Sequence, residues 1–294
     1  MTLTATLSRP GDAVLDEIDR ARRNGPLQHI KVPACPDQLL RLRQAMDAAE
    51  PDLTEVAAIV GQDVAMSATL IRRANSALHA AALPVHSVGQ AMDRLGLDDT
   101  VRTMTSFLTQ RAIPIHNAHL KRFWERSTRR AAAMEFIAAQ VPGLSPDLAH
   151  SFGLFCHVGM PVMLQCVRGY GSTLVEAEAR TDRSPMATEN ANHRTDHAVV
   201  GALVCRTWRF SPTLVAAVRL HHELDTLGER SAEPEAFTLV AAGLIAEQLM
   251  RRAECMPADR DWREHADAVL RWLAVEASDL DAWAQALQPV FDTL

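Results

Sequence analysis

Apolar side chains recur along this chain at three- and four-residue intervals, and short polar or Gly/Pro breaks separate the runs. That spacing is the mark of amphipathic helices, and no stretch alternates as a strand would. Val14, Leu15, Ile18 and Ala21 share one face of a helix predicted over Asp12–Asn24, which Gly25-Pro26 stops. Leu27 to Pro36 holds Pro33 and Pro36 and cannot be regular helix throughout. Leu39, Leu40, Leu42 and Met46 form the next stripe, starting at Asp37. Asp52, with Glu55 three residues on, marks a helix start, and Val56, Ile59 and Val60 follow on one face. Asp63 caps another helix, with Met66, Leu70, Ile71, Ala74 and Leu78. Residues 79–86 form a loop, Ser87 caps Val88–Leu95, Gly96 closes it, and a further helix covers Asp98–Arg111.

Ile113-Pro114-Ile115 is a natural joint. Beyond it the pattern predicts helices over Ala118–Val141, Asp147–Arg168 (interrupted near Gly159 and Pro161) and Thr173–Thr181. Asp182–Arg194 is polar and reads as a loop with at most one turn at Ala187–Ala191. Helices then cover Asp196–Trp208, Pro212–Leu224, Pro234–Cys255, Trp262–Val275 and Leu280–Phe291. The expected fold is all-α, with an N-terminal helical bundle packed on a second helical unit. The expected organisation is an extension with one helix (1–26), a first helical half (27–112), a second (113–223), and C-terminal helices packing on the second half (224–294). No period repeats, so a solenoid is not indicated.

Composition narrows the class. Of 294 residues 48% are apolar and only 5% aromatic, which suits helices packed on helices. No apolar run is long enough for a membrane span, and Met1–Pro10 lacks the pattern of a signal peptide, so a cytoplasmic protein without membrane contact is expected. The five cysteines form no CxxC pair and read as free thiols. A net charge of −6 argues against a nucleic-acid protein unless a local patch overrides it. There is no Gly-rich phosphate loop and no GxSxG.

Several runs together carry a resemblance. They are Val32-Pro33-Ala34-Cys35-Pro36, Asp63 to Ala77 with its Ala74-Asn75-Ser76, and Val85 to Gly96. Further on come Gly153-Leu154-Phe155-Cys156-His157-Val158-Gly159, Asp196-His197-Ala198 and the pair His221-His222. Over roughly residues 27–223 the chain resembles the HDOD family, all-helical relatives of the HD metal-dependent phosphohydrolases that are found in bacterial signalling and mostly lack catalysis. The resemblance implies a degenerate HD-like second half.

HD phosphohydrolases need an early His, an adjacent His-Asp pair and a later Asp, so that carboxylate and imidazole together hold divalent ions. Here Arg126 or Ser127 takes the first place, Cys156-His157 the second, and Gly243 falls near the third. Of the accessory histidines His197 and His222 remain. Two readings compete for Cys156, His157, His197 and His222: a remodelled metal site, or packing relics in a helical core. The sequence favours relics, so no catalytic residue, resident metal or cofactor is expected. The spacing of His193 and His197 reads as accidental, because Thr195 or Asp196 caps the helix between them. Asp63, Asn75 and Ser76 are a candidate partner face, weighed against plain capping and turn bonding. Arg122, Arg126 and Arg129 share a helix face and are a candidate anion site for a nucleotide, weighed against pairing with Glu125 and other carboxylates. The expected function is a non-catalytic regulatory module that binds signalling proteins. A divergent metal-dependent phosphohydrolase and a nucleotide or nucleic-acid binder are the alternatives.

Overall fold

The computed structural model describes residues 12–48, 50–76, 79, 83–226 and 234–294. Among these it is helical, with no strand. The N-terminal half contains α1 (Asp12–Asn24), α2 (Asp37–Asp47), α3 (Leu53–Gly61), α4 (Val64–Ala74) and α5 (Val88–Ala112). The C-terminal half contains α6 (Phe123–Ala138), α7 (Pro146–Phe155), α8 (Gly159–Cys166), α9 (Tyr170–Ala179) and α10 (Pro185–His193). It continues with α11 (His197–Thr207), α12 (Pro212–Leu220), α13 (Pro234–Ala253), α14 (Arg260–Leu273) and α15 (Ala277–Thr293). The expected polar stretch 1–11 and the apolar position Leu78 lie outside the described residues.

Helix starts follow local chemistry. The side chains of Asp52, Asp63, Ser87, Ser145, Asp196, Ser211 and Asp259 each accept a backbone N–H of the helix they open. A cap of this kind contributes about 1 kcal/mol. Gly96 takes φ 77° inside α5, so the two helices expected on either side of it form one kinked element.

One continuous core runs through both halves. Trp208 is fully buried and donates its indole N–H to the Pro33 carbonyl at 2.8 Å. Arg43 reaches the Trp208 carbonyl at 2.8 Å and stacks 4.3 Å from the Phe210 ring centre. The helix of the N-terminal extension, α1, packs on α12 and α11, where Arg206 pairs with Asp19 and Arg219 with Glu17.

The expected loop over 182–194 is corrected: Pro185–His193 is α10. Ser184 caps it and Pro185 sits in its first turn, where a missing N–H costs nothing. Its buried residues are Thr188 and Glu189, so it has no apolar stripe to read. The long helix expected from Ala118 is also shorter. A 3-10 turn over Ala118–Leu120 precedes α6.

Candidate functional site: a cluster of four histidines

Three helix ends meet at one place. His157 lies in the turn between α7 and α8, His197 is the first residue of α11, and His221 and His222 follow the last turn of α12. Two glycines let these ends approach. A Cβ on Gly159 would stand 2.0 Å from the His197 carbonyl oxygen and 2.7 Å from the Gly201 nitrogen. The first turns of α8 and α11 therefore touch backbone to backbone, which places His197 beside His157.

The four imidazoles offer one nitrogen each within 4.8 Å of one another. His157 Nδ1 is 3.3 Å from His197 Nε2, which is itself 3.3 Å from His221 Nε2. Three of the rings are oriented by an oxygen on the far side. His197 Nδ1 lies 2.8 Å from Glu189, His221 Nδ1 is 2.7 Å from the Val218 carbonyl, and His222 Nδ1 is 2.9 Å from Asp261. Glu189 is itself held by the Tyr170 hydroxyl at 2.8 Å and by the His197 backbone N–H at 2.8 Å. An oxygen acceptor fixes the tautomer, so the N–H sits on Nδ1, and in His197 and His221 the Nε2 lone pair is left facing the cluster.

Burial opposes charge on His157, His197 and His221. It holds His157 and His221 well below the usual histidine value, helped by Arg130 near His157 and by the neighbouring histidines. Burial also acts on His197, but there the Glu189 carboxylate outweighs it and raises the imidazole above its ordinary value. Glu189 is likewise kept below the carboxylate range, against its own burial, by His197.

These shifts set an acid limit for the metal-free protein. Below about pH 6.5 the unfolded chain protonates His157 and His221 while the native state resists, so stability falls as pH falls. Each imidazole contributes a slope of about 1.4 kcal/mol per pH unit. The raised His197 has the opposite sign. Its stabilisation is complete below about pH 6.5 and is lost as pH rises through its folded value. Urea midpoints between pH 5 and 7 are expected to climb steeply with pH, and His157→Gln is expected to remove one of the two proton equivalents. A slope unaltered by that change would contradict the assignment.

His157, His221 and His222 form one wall of a cavity of about 310 Å³, and His197 lies buried behind them. Arg126, Arg130, Cys156, Gly243, Glu247, Asp259 and Asp261 also line it. Cys156 is buried and turned to the Gly153 carbonyl, outside the histidine group. Gly243 has no room for a carboxylate: even a Cβ there would meet Phe152 Cε1 at 2.6 Å. Arg126, with Ser127 the candidate for the early ligand place, is half of a salt bridge, 2.5 Å from Glu247 and paired also with Glu254. Arg130 is buried and binds Glu247 at 3.0 Å.

The candidate anion face is paired with carboxylates, the alternative weighed against it. Arg122, Arg126 and Arg129 all converge on Glu254, and Arg122 and Arg129 also bind Glu125. Their charge is matched within the fold. Asp63 caps α4 and binds Arg111 at 2.5 Å. Asn75 bonds both backbone groups of Val85, at 2.8 and 2.9 Å, which clamps the segment before α5. The Ser76 hydroxyl is buried without a hydrogen-bond partner. Asp63 and Asn75 thus hold local structure together, as the capping and turn-bonding alternative has it. His193 bonds Thr173 at 2.8 Å and takes no part in the cluster, as its position before the Asp196 cap implies.

The sequence pattern pairs His197 with His222 but leaves out His221, Glu189 and Asp261. The His221-His222 doublet at a helix end is a usable signal, since both side chains can turn inward once the helix stops. Glu189 falls in a segment that reads as loop, and Asp261 lies beyond the resembling region.

The HDOD domain model matches residues 32–224. The chain belongs to the HDOD family. Its fold is similar to that of an HDOD domain protein from Geobacter sulfurreducens, with a TM-score of 0.69, 21% identity, and 95% of this chain and 98% of that one covered. A structure from Marinobacter aquaeolei VT8, described as a signal transduction protein, gives a TM-score of 0.73 at 18% identity, covering 99% of this chain and 66% of that one. A structure from Shewanella amazonensis SB2B, described as a phosphohydrolase, gives 0.69 at 20% identity, covering 95% and 96%. An uncharacterized protein of Treponema pallidum is 23% identical over 195 residues, which make up 66% of this chain and 38% of that protein. The HDOD chain thus spans well under two thirds of that relative. Among the described residues no helix is long and apolar enough to cross a membrane.

Proposed function

We propose that the protein is a non-catalytic regulatory module that acts on partner signalling proteins through its helical surfaces. The observation that carries this reading is Gly243 against Phe152. Where the later carboxylate of a phosphohydrolase would stand, an aromatic ring leaves no space for any side chain. Arg126, a candidate for the early ligand place, is likewise engaged by Glu247. With no carboxylate among the four clustered ligand atoms, the group itself lacks the hard oxygen donors that suit magnesium or manganese in phosphoryl chemistry. Among the described residues the exposed large apolar side chains are Leu53, Val64 and Leu83 in the N-terminal half and Val175 and Met256 in the C-terminal half.

The reading is tested by incubating the purified chain with bis(p-nitrophenyl) phosphate and with a cyclic dinucleotide, in the presence of magnesium, manganese or zinc. No turnover above buffer is expected. Hydrolysis that disappears in His197→Ala would establish the phosphohydrolase reading instead, which the four convergent imidazoles favour. The matched charges of Arg122, Arg126 and Arg129 weigh against the nucleotide-binding alternative.

A further inference from the structure

We propose that His157, His197, His221 and His222 form a four-imidazole site for a late first-row transition ion of the zinc class, anchored from outside the family signature by Asp261. Spacing is the first support. Four nitrogens at the usual 2.0–2.1 Å from a tetrahedral zinc-class ion stand roughly 3.4 Å apart. The two separations that link His157, His197 and His221 are both 3.3 Å, and all four donor atoms fall within 4.8 Å.

The positions of the protons point the same way. His197 and His221 have each committed an N–H on Nδ1 to an oxygen, Glu189 in one case and the Val218 carbonyl in the other. Their Nε2 atoms are then bare lone pairs facing each other at 3.3 Å. Left alone, that contact is repulsive. A cation between the rings relieves it, and so does a single proton held on His197, which the entering ion would displace. His157 adds a third nitrogen to the same space from another helix end. A packing relic has no need for three separate oxygen acceptors, one on each of His197, His221 and His222. Metal-binding histidines carry such outer partners as a rule.

Donor chemistry selects the ion. With imidazole nitrogen alone and no carboxylate in the group, the set suits zinc, cobalt, nickel or copper and disfavours magnesium and calcium. Asp261 extends the site. It lies on α14, it bonds His222 at 2.9 Å, and burial of its carboxylate is outweighed by that histidine, so it stays ionised. Ion occupancy would therefore tighten the hold of α14 on the end of α12. The meaning of that coupling as regulation rests on the function proposed above, whereas ion binding itself does not.

The test uses the untagged full chain, purified without chelator, stripped, and then titrated with zinc and with cobalt. About one zinc per chain is expected, with the intense visible bands of tetrahedral cobalt(II), and without competition from millimolar magnesium. His157→Gln/His221→Gln should abolish both signals while far-ultraviolet circular dichroism stays native. Asp261→Asn, which leaves all four imidazoles in place, should weaken zinc binding about 10–100-fold. A folded wild-type chain that takes up no zinc or cobalt overturns the site. So does uptake that persists in the double variant or that magnesium displaces. An Asp261→Asn variant that binds zinc as tightly as wild type removes the anchoring role. Loaded wild-type protein that hydrolyses the phosphodiester would refute the regulatory reading and leave the ion site standing.

Discussion

Gly159→Ala is expected to destabilise the protein by about 3 kcal/mol, the upper part of the range for overpacking. Alanine in a helix otherwise gains about 0.5–1 kcal/mol over glycine. Here that gain is overwhelmed, because the new methyl would lie 2.0 Å from the His197 carbonyl oxygen and 2.7 Å from the Gly201 nitrogen. Both are backbone atoms, so no rotamer change relieves the clash, and α8 must move away from α11. The movement would also separate His157 from His197. Gly89→Ala is the matched control, since Gly89 lies in α5 and a Cβ there meets nothing within 4 Å. Chemical denaturation of the two variants decides the matter: equal midpoints would show that the α8–α11 contact is not tight.

Glu247→Leu is expected to cost about 3–5 kcal/mol, the penalty for stranding one member of a buried ion pair. Burial works against ionisation of Glu247, but Arg130 and Arg126 hold it below the usual carboxylate range. Arg126 keeps Glu254 after the substitution. Arg130 does not share that partner: it is buried, and its Nε already lacks a hydrogen bond. The guanidinium would be left uncompensated beside Cys156. Adding Arg130→Met removes the stranded charge, and the double variant is expected to recover most of the loss or to exceed wild type by about 1–4 kcal/mol. Urea unfolding of wild type, single and double variants gives the answer. A single variant within about 1 kcal/mol of wild type would show that water already reaches Arg130.

The helices were legible wherever burial produced an apolar stripe. Ile18, Leu42, Ile59 and Leu70 mark faces that the structure buries completely. The signal failed at α10, whose buried face is Thr188 and Glu189. Glu189 is inside because it hydrogen-bonds to Tyr170 of α9 and His197 of α11, and Thr188 bonds locally to Ser184 and Arg183, none of which any periodicity of hydrophobic positions reports. The same reason hid half of the candidate site. His157, His197 and His222 were named because the resemblance marks their places, and Gly243, set near the later ligand place by the same resemblance, lines the cavity. Spacing along one helix could not bring His221 and Asp261 to the group, because they arrive from separate helix ends. The arginine face shows the converse limit. Arg122, Arg126 and Arg129 do share a side of α6, but Glu247 and Glu254 on and just after α13 meet them there.

Asp261 has a practical consequence for how the protein is divided. The family signature stops at residue 224, whereas Gly243, Glu247 and Asp261 lie beyond it and still shape the cavity around the histidines. A fragment cut at the signature's edge would keep all four imidazoles but lose the carboxylate behind His222 and the partner of Arg130. The unit that the family model matches and the unit that completes this pocket therefore have different boundaries.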